Sequence, residues 1–392
     1  MILNRRSVLS GLTASITVGG ASLAFTQAAT RKRFVVIILR GAMDGLSMIV
    51  PYGDYNLREW RASLMMPEPQ RPNGLLDLGG FWGLHPAMPQ LHALYRAGEV
   101  LPIHAVAGPT HSRSHFEAQD LLEFGAEQRI TSGWLNRLAG ALPANGPTDN
   151  AIALGQNIPL ILQGPTAVAS WSPGGLPHPD ANFYQRLLAL HSGDPLTGPA
   201  LADGLREREF YARALSGPSA TAGTEPPFVN LARTAGRLLA DANGPRLAAL
   251  DLEGWDTHSG QIFRLPRALA LLDAGLSALR EGLGASWQET VVLVVTEFGR
   301  TVRVNGTGGT DHGTASAALL LGGRVNGGRV QADWPGLGAD RLFENRDLHP
   351  TADLRSIAKG ILQVHFDVEL TALTAIFPNS GDVTPMTGLL RS

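Results

Sequence analysis

The 392-residue chain contains no cysteine. Disulfides, thiolate metal sites and cysteine nucleophiles are therefore excluded. Lysine is almost absent as well: of 32 basic residues only Lys32 and Lys359 are lysines, a compositional bias that carries no function. The formal net charge is −2, so nothing in the charge balance points to nucleic acid as a partner. A G-x-S-x-G turn and a Walker A loop are missing, which leaves a nucleophile-elbow serine hydrolase and a P-loop nucleotide site without support. There is no internal repeat and no long low-complexity tract. What is present, at 44% hydrophobic and 17% charged residues, suffices for an ample core.

The amino terminus reads as a targeting segment. Asn4-Arg5-Arg6-Ser7-Val8-Leu9 is a twin-arginine pattern, followed by a weakly apolar run over 12–25 and small residues at 26–29 suited to cleavage. That run is too short and too rich in Gly, Ser and Thr for a good spanning helix. A first helix of the domain is the competing reading, disfavoured by the scarcity of acids and by Arg31-Lys32-Arg33 at its end. The expectation is a signal peptide over 1–29 that engages the twin-arginine export machinery. The mature protein then has no integral membrane segment and resides in the periplasm or outside the cell. That route carries folded proteins, so a cofactor can be loaded before export.

Residues 34–39 and 291–295 are continuous β-branched runs and read as buried central strands. Weaker strand signals lie at 247–250 and 315–321, with one or two more over 152–162. Helical spacing marks 88–97, 114–123, 183–190, 210–241 (broken at 217–227), 261–283 and 351–362. Strands alternating with helices predict an α/β fold, a doubly wound and mostly parallel central sheet flanked by helices, as one domain over 30–392. Residues 163–230, rich in Pro, Gly and Ser, are expected to form a small cap or insertion.

Ligands of open parallel sheets bind beyond the carboxyl ends of the strands. Asp44, Asp256 and Glu297 each follow a strand run closely, so three strands deliver an acid to one edge. Histidines accompany them in Gly254-Trp255-Asp256-Thr257-His258 and Gly309-Thr310-Asp311-His312-Gly313. Carboxylate and imidazole are the ligands zinc and related ions take in hydrolytic sites. Asp256 and His258, two apart in an extended segment, project to the same side. Asp311 and His312 converge only in a loop, which the glycines around them permit, and Asp311 has the alternative role of orienting a neighbouring ligand. His85 and His349 precede prolines and are held in reserve.

Ser114 has two readings. With Glu117 it makes an S-x-x-E capping box, which explains both residues structurally. A helix N-terminus also attracts anions, and a metal-activated serine there can attack phosphorus or sulfur, with Arg113 clamping the anion's oxygens.

The runs RGAMDGL at 40–46, SHFEAQD at 114–120, GWDTH at 254–258, TEFGR at 296–300 and TDHG at 310–313 resemble an uncharacterised, twin-arginine-exported family of bacterial domains of unknown function. That family is related to the alkaline phosphatase/sulfatase superfamily, and the likeness spans about 34–365. It implies an alkaline-phosphatase-like fold and a two-metal site for phosphoryl or sulfuryl transfer, with Asp44 in the first acid's role and Ser114 in the nucleophile's. The Asp256-to-His258 gap is narrower than the superfamily's, and Glu297-Phe298 stands where its Asp-His dyad follows a strand. In the register that fits best, Asp256, His258 and His312 hold zinc. Asp44, Ser114 and Glu297 form a second site without its histidine, suited to Mg, Mn or Ca or to no ion at all.

The expected function is that of an exported metal-dependent hydrolase of small anionic phosphate or sulfate esters. Ser114 attacks, Arg113 or Arg300 steadies the anion, and metals sit on Asp44, Asp256, His258, Glu297, Asp311 and His312. The alternatives are a non-catalytic binding or assembly protein on a decayed hydrolase fold, and a metal enzyme without covalent catalysis.

Overall fold

In chain order the strands are β1 (Arg33–Arg40), β2 (Ile49–Val50), β3 (Leu76–Asp77), β4 (Gly83–Leu84), β5 (Val100–Ala107) and β6 (Ala151–Leu154). Then come β7 (Ala169–Trp171), β8 (Leu247–Glu253), β9 (Thr290–Val295), β10 (Ser316–Leu321) and β11 (Ala352–Asp353). The helices of eight residues or more are α1 (Pro89–Arg96), α2 (His115–Phe124), α3 (Trp134–Ala141), α4 (Ala181–His191), α5 (Thr197–Ala214), α6 (Pro227–Ala240), α7 (Gln261–Leu283) and α8 (Leu354–Phe366). The computed structural model describes residues 32–143, 150–172, 181–195, 197–215 and 225–391. The twin-arginine segment lies outside the described residues, as does part of 163–230.

The β1 run dictates the architecture. Val35, Ile37 and Leu39 face one side of the sheet, Phe34, Val36 and Ile38 the other, and all six are fully buried. A strand buried on both faces must be central and covered on both sides. On one face the cover is Leu91 of α1, Ala232 of α6 and Leu269 of α7. On the other it is Leu135 of α3 and Ile357 of α8.

The sheet order is β11-β5-β10-β9-β1-β8-β6-β7, and a small antiparallel sheet, β2-β4-β3, stands apart from it. β8 and β9 run parallel to β1, with Phe34 opposite both Leu247 and Val291. β10 runs antiparallel to β5 and β9, while the other pairs in this sheet are parallel. The sheet is therefore mixed but mostly parallel, with helices on both faces.

The structure departs from the sequence reading at several elements, including α3, the start of α5 and the small sheet, and three departures have a plain physical reason. β5, fully buried, interrupts its apolar run with Pro102 and His104, which hid it. Of the run over 152–162 only β6 is a strand, because Pro159 is followed by a 3-10 turn at Leu160–Leu162. The helical signal over 351–362 begins only at Leu354, after β11, and extends to Phe366. Among the described residues no helix is long and apolar enough to cross a membrane.

Candidate metal centre

The parallel strands β1, β5, β8 and β9 all end at one edge of the sheet. Asp44, His115, Asp256 and Glu297 lie on the segments that leave those ends. The antiparallel β10 begins at the same edge, so the loop leading into it delivers His312. Close approach of these loops requires glycine. At Gly41, with φ of +118°, a Cβ would lie 2.7 Å from the Asp256 nitrogen, and at Gly309 one would lie 2.3 Å from the Thr257 carbonyl oxygen.

Four side chains meet there. His258 Nε2 lies 2.9 Å from His312 Nε2 and 3.1 Å from Asp256 Oδ1. His312 Nε2 is 3.4 Å from the same carboxylate oxygen, and His115 Nε2 is 3.7 Å from Asp256 Oδ2. His115, Asp256 and His312 offer ligand atoms that all lie within 4.8 Å of one another. Phe298 packs against the rings of His115 and His312, at centroid distances of 4.9 and 5.0 Å.

Each imidazole is held from behind by its other nitrogen. His115 Nδ1 bonds Glu297 Oε1 at 2.8 Å, His258 Nδ1 bonds Asp311 Oδ1 at 3.1 Å, and His312 Nδ1 bonds the Arg113 carbonyl oxygen at 2.9 Å. A carbonyl only accepts, so His312 carries its proton on Nδ1 and presents a bare lone pair at Nε2. The Asp311 and Glu297 carboxylates accept from Nδ1 of His258 and His115 and so turn Nε2 of each ring toward the cluster. Bare nitrogens and a carboxylate oxygen at these separations repel one another unless a cation lies between them. A proton can bridge one pair of these atoms, whereas a metal ion could be shared by His115, Asp256 and His312, with His258 Nε2 beside it at 2.9 Å from His312 Nε2. His115 Nε2 is buried and has no hydrogen-bond partner, which fits an atom that serves as a metal ligand.

The charges behind the cluster are strongly fixed. Burial alone would raise the Glu297 carboxyl, but donors from His115, Gln119 and the Gly41 backbone outweigh it and hold the pKa at about 2. The same Glu297 bond raises the pKa of His115, while burial lowers that of His312. Burial would likewise raise Asp256, but the Arg300 guanidinium holds it down. Asp311 is lowered chiefly by its bond from Asn305.

The expected site residues thus separate. Asp256, His258 and His312 come together, and His115, which the sequence reading passed over as part of a capping motif, joins them. Asp311 and Glu297 bond the outer nitrogens of His258 and His115. Asp44 is fully buried, and its Oδ2 is taken by Arg61 at 2.6 Å, Ser47 and Gln261. Its Oδ1 is buried without a hydrogen-bond partner, and among the described residues the one group of three or more His, Asp or Glu placed to hold a metal ion includes neither Asp44 nor Glu297. The Arg113 guanidinium pairs with Asp347 and Glu344 at 2.6 and 2.7 Å. Arg300 is buried among the carbonyls of Ala42, Trp255 and Thr310, with Asp256 at its tip. Ser114 is the exposed N-cap residue of α2, but its side chain makes no cap bond; Glu117 accepts from Ser112 at 2.6 Å instead, so the capping box does not form.

The family described as "Protein of unknown function (DUF1501)" matches residues 101–369, a span that contains all four converging side chains. None of the curated proteins compared with the chain matches it. Among solved structures it is similar to a protein of the alkaline phosphatase superfamily from Vibrio parahaemolyticus, at 12% identity over 93% of this chain and 76% of that one, with a TM-score of 0.38. For the alkaline phosphatase of the Antarctic bacterium TAB5 the values are 11%, 76%, 94% and 0.37. For the phosphonate monoester hydrolase of Agrobacterium radiobacter they are 11%, 77%, 70% and 0.34.

Proposed function

This chain belongs to that family of unknown function, and we propose that it is a metal-dependent hydrolase of phosphate or sulfate esters, exported by the twin-arginine route that Arg5 and Arg6 mark. One observation carries the reading: three imidazole Nε2 atoms and a carboxylate converge while an acceptor behind each ring holds its Nδ1. A nitrogen-rich donor set without sulfur suits zinc. Asp256 and His258 are nearly half exposed, at 45% and 44% of their side chains, so the centre is open to a substrate.

Bound there, a divalent ion supplies Lewis-acid stabilisation of the charge that develops on the ester's oxygens. Ser114 precedes His115 at the α2 N-terminus and its hydroxyl is not spent on a cap. Its Oγ forms a bond to phosphorus or sulfur as the ester oxygen leaves with the proton that the hydroxyl gives up. Water then cleaves the seryl ester and releases phosphate or sulfate. The free N–H groups of the first turn of α2 favour the anion.

A second reading has an observation of its own. Arg113 and Arg300, the two expected anion clamps, are already engaged by carboxylates and carbonyls. That favours a metal-binding protein without ester turnover. Metal analysis of the purified protein, followed by assays with aryl phosphate and aryl sulfate, tests both. The hydrolase holds a divalent ion and releases phenol, and Ser114→Ala abolishes release. Metal without turnover selects the second reading, and a metal-free protein indifferent to chelators sinks both.

A further inference from the structure

Gln261, the first residue of α7, is buried, and each end of its amide is used. Its Nε2 donates to Asp44 Oδ2 and, at 3.2 Å, to Ser47 Oγ. Its Oε1 accepts from Thr257 Oγ1 at 2.9 Å and from Thr310 Oγ1 at 2.7 Å. Carboxylate on one side and two hydroxyls on the other leave the amide one orientation. Thr257 stands between Asp256 and His258, and Thr310 stands two residues before His312. One side chain therefore ties together the two loops that bring His258 and His312 within 2.9 Å. Its anchor is rigid as well, because Arg61 holds Asp44 and reaches the carbonyls of Thr301 and Val302, next to the Arg300 that grips Asp256.

We propose that Gln261 is a positioning residue that sets the separation of the two ligand loops, and that the buried Asp44–Arg61 pair is the post on which it is mounted. The inference rests on the metal-centre reading. Asp44, expected from sequence to be a ligand, acts at one remove: it orients Gln261, and Gln261 orients the ligands.

The test is zinc titration of metal-free wild type and Gln261→Met against a competing chromophoric chelator, with unfolding temperatures measured metal-free and loaded. Methionine matches the length of the side chain but bonds neither loop. Its affinity is expected to fall about 10- to 100-fold, the usual effect of losing a group that orients ligands. Thr310→Val, which removes one arm, should show a smaller loss that Thr310→Ser restores, and this pair decides the matter if Gln261→Met does not fold. The proposal is overturned if the variants bind zinc within about twofold of wild type, or if their unfolding temperatures fall equally in metal-free and loaded protein with affinity unchanged. Wild type that takes up no divalent ion overturns the metal-centre reading itself, and this inference with it.

Discussion

Asp44 and Asp256 follow the ends of adjacent parallel strands, β1 and β8, and each meets an arginine, yet they end in opposite chemical states. Asp44 is sealed, with one arginine, one hydroxyl and one amide on the same oxygen. Asp256 keeps nearly half its side chain in solvent and shares its arginine with four carbonyls, while two imidazole Nε2 atoms crowd its Oδ1. The first acid is paired by the protein on Oδ2, its buried Oδ1 has no hydrogen-bond partner, and in the proposal above it serves as a structural post. The second lies among more lone pairs than the protein supplies cations for. What separates a ligand from a post is thus the balance of donors around it, not its position after a strand.

The contrast can be broken most forcefully at Arg61. Removing one partner of a buried ion pair leaves an uncompensated charge, so Arg61→Met should cost about 3–5 kcal/mol of unfolding free energy, and the double change with Asp44→Asn considerably less. A loss below about 1 kcal/mol in chemical denaturation would show that the Asp44 charge is not paired as described. The pair also has a pH signature. Burial by itself would raise the Asp44 carboxyl, but Arg61, Ser47 and Gln261 hold it below its ordinary value of 3.8. A lowered folded pKa contributes stability that is full above 3.8 and is lost as pH falls through the folded value. Asp44→Asn should therefore flatten the dependence of stability on pH below about 3.8, without altering it near neutrality.

The β-branched runs of β1 and β9 announced central strands because burial on both faces leaves no room for polar letters. The 23-residue α7 was legible end to end from its periodicity. β5 was not, since tertiary burial overrides the weak propensity of a segment containing proline and histidine. The convergence of side chains was legible where the candidate ligands share a short segment, as Asp256 and His258 do. It was not legible where the partner is distant in sequence: Arg61 pairs with Asp44 from 17 residues away, and Glu297 meets His115 across 182 residues. His115 was hidden by a capping motif that its own segment does not use.

At the other end of the comparison, the donor cluster should respond to metal and the Asp44 post should not. With free zinc at 100 times the dissociation constant, linkage adds about 2.7 kcal/mol, which a chelator removes. Thermal unfolding with and without chelator measures it, and Arg61→Met, if it folds, should show the same increment from a lower base. A smaller effect is expected at Glu297→Gln, which keeps the shape behind His115 but removes the charge. Zinc affinity should fall about 10- to 100-fold. An unchanged affinity would mean that His115 is not a ligand, and the centre would shrink to Asp256, His258 and His312.

The smallest change in stability is expected at Ser114. An N-cap serine replaced by alanine ordinarily costs about 1 kcal/mol, because an orphan backbone N–H loses its acceptor. Here Ser114 makes no such bond, and Ser112 with Glu117 occupies the space before the helix instead. Ser114→Ala should accordingly leave the unfolding free energy within about 0.5 kcal/mol of wild type. Zinc affinity should also be unchanged, since none of the four converging side chains is altered. Release of phenol from an aryl phosphate or sulfate should nonetheless disappear, because the attacking oxygen is gone. A variant that loses stability and keeps turnover would return Ser114 to the role of a cap. The chemistry would then have to come from the cluster without a protein nucleophile.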